Sequence, residues 1–348
     1  MTEIVRVVVV DDSAYVRKVF KQMLSRSPFI DVVGTARDGE EALELCAELK
    51  PDVVTCDLNM PAMDGLSFVQ AQMARRPLPI IIISIASQSG EQVLAALDAG
   101  AVDFVQKPTA LATDRLLDIA DDLVEKVKAA ATAPMSELVP NPKPEPLPEE
   151  ALDRIADGTA VDLVVIGTST GGPQALKKII PRLPLNFPVP VAMVLHMPVG
   201  YTEMYAAKLD ELSPLHVIEA RGGELVVPGT AFLAPAGRHL TFAREAGGDV
   251  RTRLDVRPLD TPHRPAVDVL FRSAAEVYGP RVLGVVMTGM GSDGREGSAW
   301  IKAKGGRILT EAEESCVVYG MPRSVVEAGL SDGAISLDRL AHAIIGSL

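Results

Sequence analysis

Residues 4–25 read IVRVVVVDDSAYVRKVFKQMLS, and this stretch decides how the first part of the chain folds. Four consecutive valines at 7–10 offer no polar face, which suits a strand covered on both sides rather than one open to water. The run stops at Asp11 and Asp12, and from Ala14 apolar residues return at helical spacing. A buried strand, a polar turn and an amphipathic helix make up half of a parallel-sheet unit. Reading outward, strands are expected at 31–35, 53–57, 80–84 and 103–105, and helices at 39–49, 65–74, 90–98 and 114–128. Strand and helix alternating in this way predict an α/β fold with a doubly wound, mainly parallel sheet.

Between 133 and 148 the chain carries Pro134, Pro140, Pro142, Pro144, Pro146 and Pro148. Such a segment cannot continue a helix or pack a core and reads as a semi-extended linker. A second alternation begins at 162. Strands are expected at 162–167, 189–195, 282–288 and 307–310, with helices at 173–182, 202–212, 267–278 and 294–304 and two more closing the chain. The glycine-rich section 217–256 reads as a β-hairpin insertion in a second doubly wound, mainly parallel domain. The expected organisation is therefore a domain at 1–128, a linker at 129–159 and a domain at 160–348.

The composition narrows the function classes. Aromatic residues are 4% against 47% hydrophobic residues in all, so both cores are aliphatic. No apolar run reaches the roughly 18 residues of a membrane span, and the N-terminus has no basic region preceding an apolar one. Cys46, Cys56 and Cys316 have no metal spacing, and their odd number argues against a disulfide framework. A cytoplasmic location is expected. The net charge of −12 divides into −7 for 1–128, −4 for 129–159 and −1 for 160–348. No segment is basic enough to grip nucleic acid, and nothing demands more than a monomer.

Asp11, Asp12 and Asp57 all sit at strand ends in the first domain. In an open parallel sheet those ends converge, and ligands gather there. Three carboxylates brought together need a cation, and Mg²⁺ suits an all-oxygen donor set. Ser84 and Lys107 end the next two strands, placing a hydroxyl and an ammonium where they can hold phosphoryl oxygens. Asp57 is then the expected phosphoryl acceptor. Asp12 alone has a second reading, as the cap of the helix at 14–25.

The second domain opens with DLVVIGTSTGGPQAL at 162–176. A strand running into glycines before a helix admits three readings: an anion-binding turn, plain turn chemistry, or a G-x-S-x-G turn that exposes Ser169 above a sheet. The nucleotide strings GxGxxG and GxxxxGK[ST] are absent. A nucleophilic serine needs a base. His196 ends the strand 189–195 and is favoured by position, whereas His263 lies in a loop between prolines and remains a rival. His342 and His216 read as structural or exposed, and His239 as part of a surface turn. Asp293 follows the strand 282–288 and reads either as the group orienting the imidazole or as the cap of the next helix. Ser169, His196, Asp293 is not the chain order of the α/β hydrolases.

Two sets of motifs resemble known families. VVDDSAYVRK (9–18), CDLNMPAMDGL (56–66), Ser84 and AGAVDFVQKP (99–108) resemble the response-regulator receivers, which have a flavodoxin-like fold. The resemblance implies metal contact by Asp12, Asp57 and the backbone of Asn59, with Asp11 close by, and phosphate contact by Ser84 and Lys107. The loop SIASQSG (84–90) departs slightly from the receiver pattern. IGTSTGG (166–172), LHMPVGYT (195–202), RPAVDVLF (264–271) and MTGMGSDG (287–294), placed behind a receiver and a linker, resemble the chemotaxis protein-glutamate methylesterases. That resemblance implies a Rossmann-like catalytic domain with Ser169 as nucleophile, His196 as base and Asp293 as orienter. Thr170, Gly171 and Met290 would line the site or supply oxyanion donors, and the esterase chemistry would need no cofactor. The implied substrates are glutamate methyl esters, and also glutamine amides, on methyl-accepting chemotaxis receptors. A chemotaxis histidine kinase would phosphorylate Asp57 and relieve a receiver that covers the hydrolase cleft. Two other classes stay open on the residues alone. A catalytically dead scaffold would lack a triad member, and a nucleotide-binding regulator would not need Ser169.

Overall fold

The computed structural model describes residues 4–84, 90–107, 113–134 and 160–348. Within it the chain divides into two compact units, 1–141 and 142–348. The proline-rich stretch 135–159 and most of the loop after Ser84 lie outside the described residues.

In the first unit, β1 (Val5–Val10), β2 (Ile30–Ala36), β3 (Val53–Asp57), β4 (Ile80–Ser84) and β5 (Asp103–Gln106) form one sheet in the order β2-β1-β3-β4-β5. Every pairing is parallel. Helices α1 (Ala14–Leu24), α2 (Gly39–Leu49), α3 (Gly65–Arg75), α4 (Gly90–Asp98) and α5 (Thr113–Ala130) alternate with the strands. The strand residues Val53–Asp57 and Ile80–Ser84 are buried throughout, as continuous apolar runs covered on both faces should be. Helix starts follow side-chain caps. Asp38 accepts from the Glu41 amide and Asp64 from the Ser67 amide. α1 is capped by Ser13, whose hydroxyl accepts from the Val16 amide at 3.4 Å. The capping alternative for Asp12 therefore fails, and Asp12 stands exposed at the sheet edge.

The second unit holds a seven-stranded sheet built from β6 (Leu163–Thr168), β7 (Val191–Leu195), β8 (His216–Glu219), β9 (Thr230–Leu233), β12 (Val282–Val286), β13 (Arg307–Glu311) and β14 (Gly333–Ile335). Its order is β14-β13-β12-β6-β7-β9-β8, again parallel throughout. β10 (His239–Arg244) and β11 (Val250–Asp255) pair antiparallel as a separate hairpin. The hairpin expected over 217–256 is thus confined to 239–255. The first half of that section, β8 and β9, extends the main sheet instead, because β9 has apolar residues to bury beside β7 and β8 pairs on β9. The helices are α6 (Gly172–Ile179), α7 (Thr202–Leu212), α8 (Val267–Tyr278), α9 (Arg295–Ala303), α10 (Met321–Glu327) and α11 (Leu337–Ile345). Leu270, Phe271 and Ala274 of α8 pack with Val165, Val194, Val286 and Ile301 in one aliphatic core.

Candidate functional site

The carboxyl ends of the first sheet carry the acidic cluster. Asp11 follows β1, Asp57 ends β3 and Lys107 follows β5. The Lys107 ammonium lies 2.6 Å from Asp11 and 2.8 Å from Asp57, bridging three strands. The Lys107 amide donates to the Ser84 carbonyl at 2.7 Å, so Ser84 arrives at the same edge. Burial pushes the Asp57 carboxyl up, and the Lys107 hydrogen bond only partly offsets it. Burial also works against the Lys107 charge, but bonds to Asp11 and Asp57 prevail and raise it above the usual lysine range. Ligand oxygens of Asp11, Asp12 and Asp57 lie within 4.8 Å of one another. A set of hard oxygen donors at that spacing fits a divalent cation. Asn59 stands exposed two residues past Asp57.

In the second unit three neighbouring strands, β12, β6 and β7, deliver Asp293, Ser169 and His196 to one edge. The register pairs Thr168 with Leu195 and Gly167 with Val286, so the residues that follow must emerge side by side. The His196 amide donates to the Thr168 carbonyl and the Ser169 amide to the Thr288 carbonyl, tying the three ends together. His196 Nε2 lies 2.8 Å from Asp293 Oδ2. Its Nδ1 is buried and has no hydrogen-bond partner among the described residues. The carboxylate thus selects the tautomer with a proton on Nε2 and leaves the Nδ1 lone pair available. The His263 ring stacks on His196 with centroids 4.1 Å apart. The rival histidine therefore belongs to the same site, while His196 is the one bonded to the acid.

The serine turn is locally dictated. Gly171 has φ +80°, and a Cβ there would lie 2.6 Å from Val317 Cβ, so only glycine fits. Pro173 enters the first turn of α6, where its missing N–H costs nothing. Gly289 packs directly against the nucleophile candidate. A Cβ at Gly289 would lie 2.8 Å from Ser169 Cβ and 2.4 Å from Met321 Sδ. Thr170 is buried, and its carbonyl accepts from the Thr288 hydroxyl at 2.9 Å. Met290 is half-buried beside Gly289. Of the amides after Ser169, that of Gly172 is spent on the Ser169 carbonyl.

Several residues were not legible as parts of this site. Thr288 links three segments: its carbonyl accepts from Thr168 Oγ1, its hydroxyl serves Thr170, and its amide donates to the fully buried Glu311. His239, expected in a surface turn, is completely buried. Its Nδ1 accepts from the Ala266 amide and its Nε2 donates to the Pro258 carbonyl. Burial lowers its pKa, consistent with a neutral ring bracing the 258–266 loop. Asp293 does act as a helix cap, but of α8 rather than α9. It accepts from the amides of Val267 and Asp268, while Asp268 accepts from those of Gly294 and Gly297. The motif RPAVDVLF contained Asp268, but no spacing rule reveals a cap that crosses between helices.

The two carboxyls titrate far apart, as one coupled pair. Burial pushes Asp268 up, the Gly297 and Gly294 amides pull it down, and the adjacent Asp293 charge helps drive it to about 7. Burial also opposes the Asp293 charge, yet His196 and the two amides outweigh it and hold that carboxyl at about 2. The raised member stabilises the fold below its ordinary 3.8 and loses that contribution as pH rises through about 7. Asp268→Asn removes this titration. Its unfolding temperature is therefore expected to gain on that of the wild type as pH climbs from about 3.8 to 7. Trp300, the single tryptophan, lies in α9, so its fluorescence follows this unit alone. A temperature difference that stays flat across the range would contradict the assignment.

These features put an acidic, lysine-bridged strand-end cluster on one chain with a second parallel α/β unit that gathers a serine, a histidine and an aspartate. Residues 164–344 match the CheB methylesterase family, and residues 7–121 match the response regulator receiver domain. A curated relative from Myxococcus xanthus, a protein-glutamate methylesterase/protein-glutamine glutaminase, is 49% identical over 335 residues, spanning 96% of this chain and 95% of that one. A relative of the same description from Halalkalibacterium halodurans is 43% identical over 342 residues, spanning 98% and 97%. The crystal structure of the Thermotoga maritima CheB methylesterase catalytic domain superposes with a TM-score of 0.53 and 42% identity, covering 54% of this chain and 99% of that one. The chain belongs to the CheB methylesterase family.

Proposed function

We propose that this chain is a phosphorylation-regulated protein-glutamate methylesterase that also deamidates glutamines, acting on methyl-accepting chemotaxis receptors. The observation that carries the catalytic half is the His196–Asp293 bond of 2.8 Å, with Nδ1 left without a partner among the described residues at the strand end beside Ser169. Ser169 Oγ attacks the ester carbonyl while its proton passes to His196 Nδ1. The carbonyl–methoxy bond breaks, and the methoxy group takes that proton and leaves as methanol. Water then gives a proton to Nδ1 and attacks the acyl-serine. The carbonyl–Oγ bond breaks, Ser169 Oγ takes the proton back from Nδ1, and the glutamate acid leaves and ionises to its carboxylate. With a glutamine the leaving group is ammonia. Asp293 holds the imidazole in the Nε2–H tautomer and offsets its transient charge. Turn residues Thr170, Gly171 and Met290 line the place where the oxyanion develops.

In the receiver, assigned to 1–128, Asp57 accepts the phosphoryl group from a chemotaxis histidine kinase, and Ser84 and Lys107 hold its oxygens. Asp11, Asp12, Asp57 and the Asn59 carbonyl would hold Mg²⁺, which when bound neutralises charge on the incoming phosphate. Residues 129–159 join the receiver to the catalytic domain at 160–348. No helix among the described residues is long and apolar enough to cross a membrane. The three cysteines are free and buried, in keeping with a reducing cytoplasm. The test is direct. Receptor membranes carrying labelled methyl esters are expected to release volatile methanol on incubation with the protein, faster when a small phosphodonor is present. Failure to release the label would overturn the reading.

A further inference from the structure

Helices α8 and α9 begin side by side, and each supplies or adjoins the carboxylate that caps the other. Asp293 precedes α9, yet its Oδ2 accepts from the Val267 amide at 2.8 Å and its Oδ1 from the Asp268 amide at 2.9 Å. Asp268 lies in the first turn of α8, yet its Oδ1 accepts from the Gly294 amide at 2.9 Å and the Gly297 amide at 2.7 Å. The N-cap residues themselves, Ala266 and Gly294, make no side-chain cap. Both helix N-termini thus depend on a carboxylate from the neighbouring segment, and both attract negative charge.

The exchange bears on one atom. Asp293 Oδ2 is also the acceptor for His196 Nε2. The Gly294 nitrogen held by Asp268 belongs to the peptide group that directly follows Asp293. Asp268 therefore grips the backbone on which Asp293 stands, while its own amide fixes the far oxygen of the Asp293 carboxylate. In this orientation the carboxylate plane satisfies all of these bonds and presents one oxygen to the imidazole. Close packing leaves little space in which to rearrange. A Cβ at Gly297 would meet the Asp268 backbone at 3.0 Å, and one at Gly294 would meet Val267 Cγ1 at 3.0 Å.

We propose that Asp268 is a positioning residue for hydrolysis, acting through the crossed caps to hold Asp293 Oδ2 on His196. This rests on the reading of Ser169, His196 and Asp293 as the catalytic group. Among the described residues, the Asp268 carboxylate bonds to the Gly294 and Gly297 amides and not to Ser169 or the imidazole. It acts only through Asp293, and small displacements of an orienting group are costly: a shift of about 1 Å lowers rates on the order of 100-fold.

The test uses the full-length protein and methanol release from methylated receptor membranes. Asp268→Ala is expected to lower kcat on the order of 10- to 100-fold with KM within about twofold. Asp268→Asn keeps an acceptor oxygen for the two glycine amides and is expected to restore kcat to within about threefold of the wild type. In an Asp293→Ala background, Asp268→Ala is expected to cost less than about twofold more, because the group it positions is gone. Wild-type kcat in Asp268→Ala overturns the proposal, as does an undiminished loss in the Asp293→Ala background. If Asp268→Ala does not fold by Trp300 fluorescence, Asp268→Ser carries the same test. Its hydroxyl is too short to bridge both amides, so the same kcat loss is expected, and wild-type kcat again overturns the idea. Ser169→Ala separates the two levels of inference. Turnover surviving in it defeats the catalytic reading itself. An inactive Ser169→Ala beside a fully active Asp268→Ala defeats only the positioning role.

Discussion

Ser169→Ala is expected to lower methanol release by about a million-fold, to the level that binding and oxyanion donors support alone. The size follows from the chemistry of the site. The alanine has no oxygen to form an acyl intermediate, and His196 Nδ1 then has only water to activate. Asp293→Asn gives a sharper result, expected to be a loss of about 10,000-fold with the fold intact. An asparagine whose NH₂ takes the place of Oδ2 makes Nε2 the acceptor and moves the ring proton to Nδ1, while the Val267 amide loses the oxygen it donates to. The lone pair that faces no partner among the described residues would be lost, and with it the base. Initial rates on saturating methylated membranes measure both variants. Asp293→Asn turning over like the wild type would show that the tautomer is set by something else.

Asp57→Asn is expected to abolish the response to a phosphodonor entirely. Labelled phosphoryl transfer should fall to background, and methanol release should be the same with and without the donor. Asp57 is buried at the sheet edge with Lys107 2.8 Å away, and Lys107 holds Asp11 as well. An amide there offers no carboxylate oxygen to form an acyl phosphate. Among the described residues, Lys107 would then keep Asp11 as its ion-pair partner. Donor-stimulated release persisting in the variant would sink the link between Asp57 and hydrolysis.

Much of this was legible because parallel sheets obey a simple rule. Strand ends gather chemistry, and the apolar runs at 7–10, 53–56 and 80–83 fixed where the strands end. Asp11, Asp57, Ser84 and Lys107 could therefore be placed at one edge from strand ends alone, and His196 at the same edge as Ser169. The choice of His196 over His263 rested chiefly on the family resemblance. What escaped was tertiary. β14 is a three-residue edge strand with no pattern to announce it. The residues of β8 and β9 read as a hairpin because short strands among glycines resemble one, whereas their pairing is parallel and reaches back to β7. His239 looked like part of a turn because Gly237 and Arg238 precede it, but its imidazole is a buried brace. Asp268 gave no local signal at all. A cap is sought beside its own helix, and this one serves another.

The strand order has a further consequence during synthesis. His196 and Asp293 are 97 residues apart in sequence, yet β12 is inserted on the other side of β6 from β7. A ribosome that has released β6 and β7 has exposed the serine and the histidine but not the carboxylate that aims them. On the roles proposed for these residues, a nascent chain that stops short of Asp293 is expected to be inert. Hydrolytic power is then expected only once β12 has threaded into place beside β6.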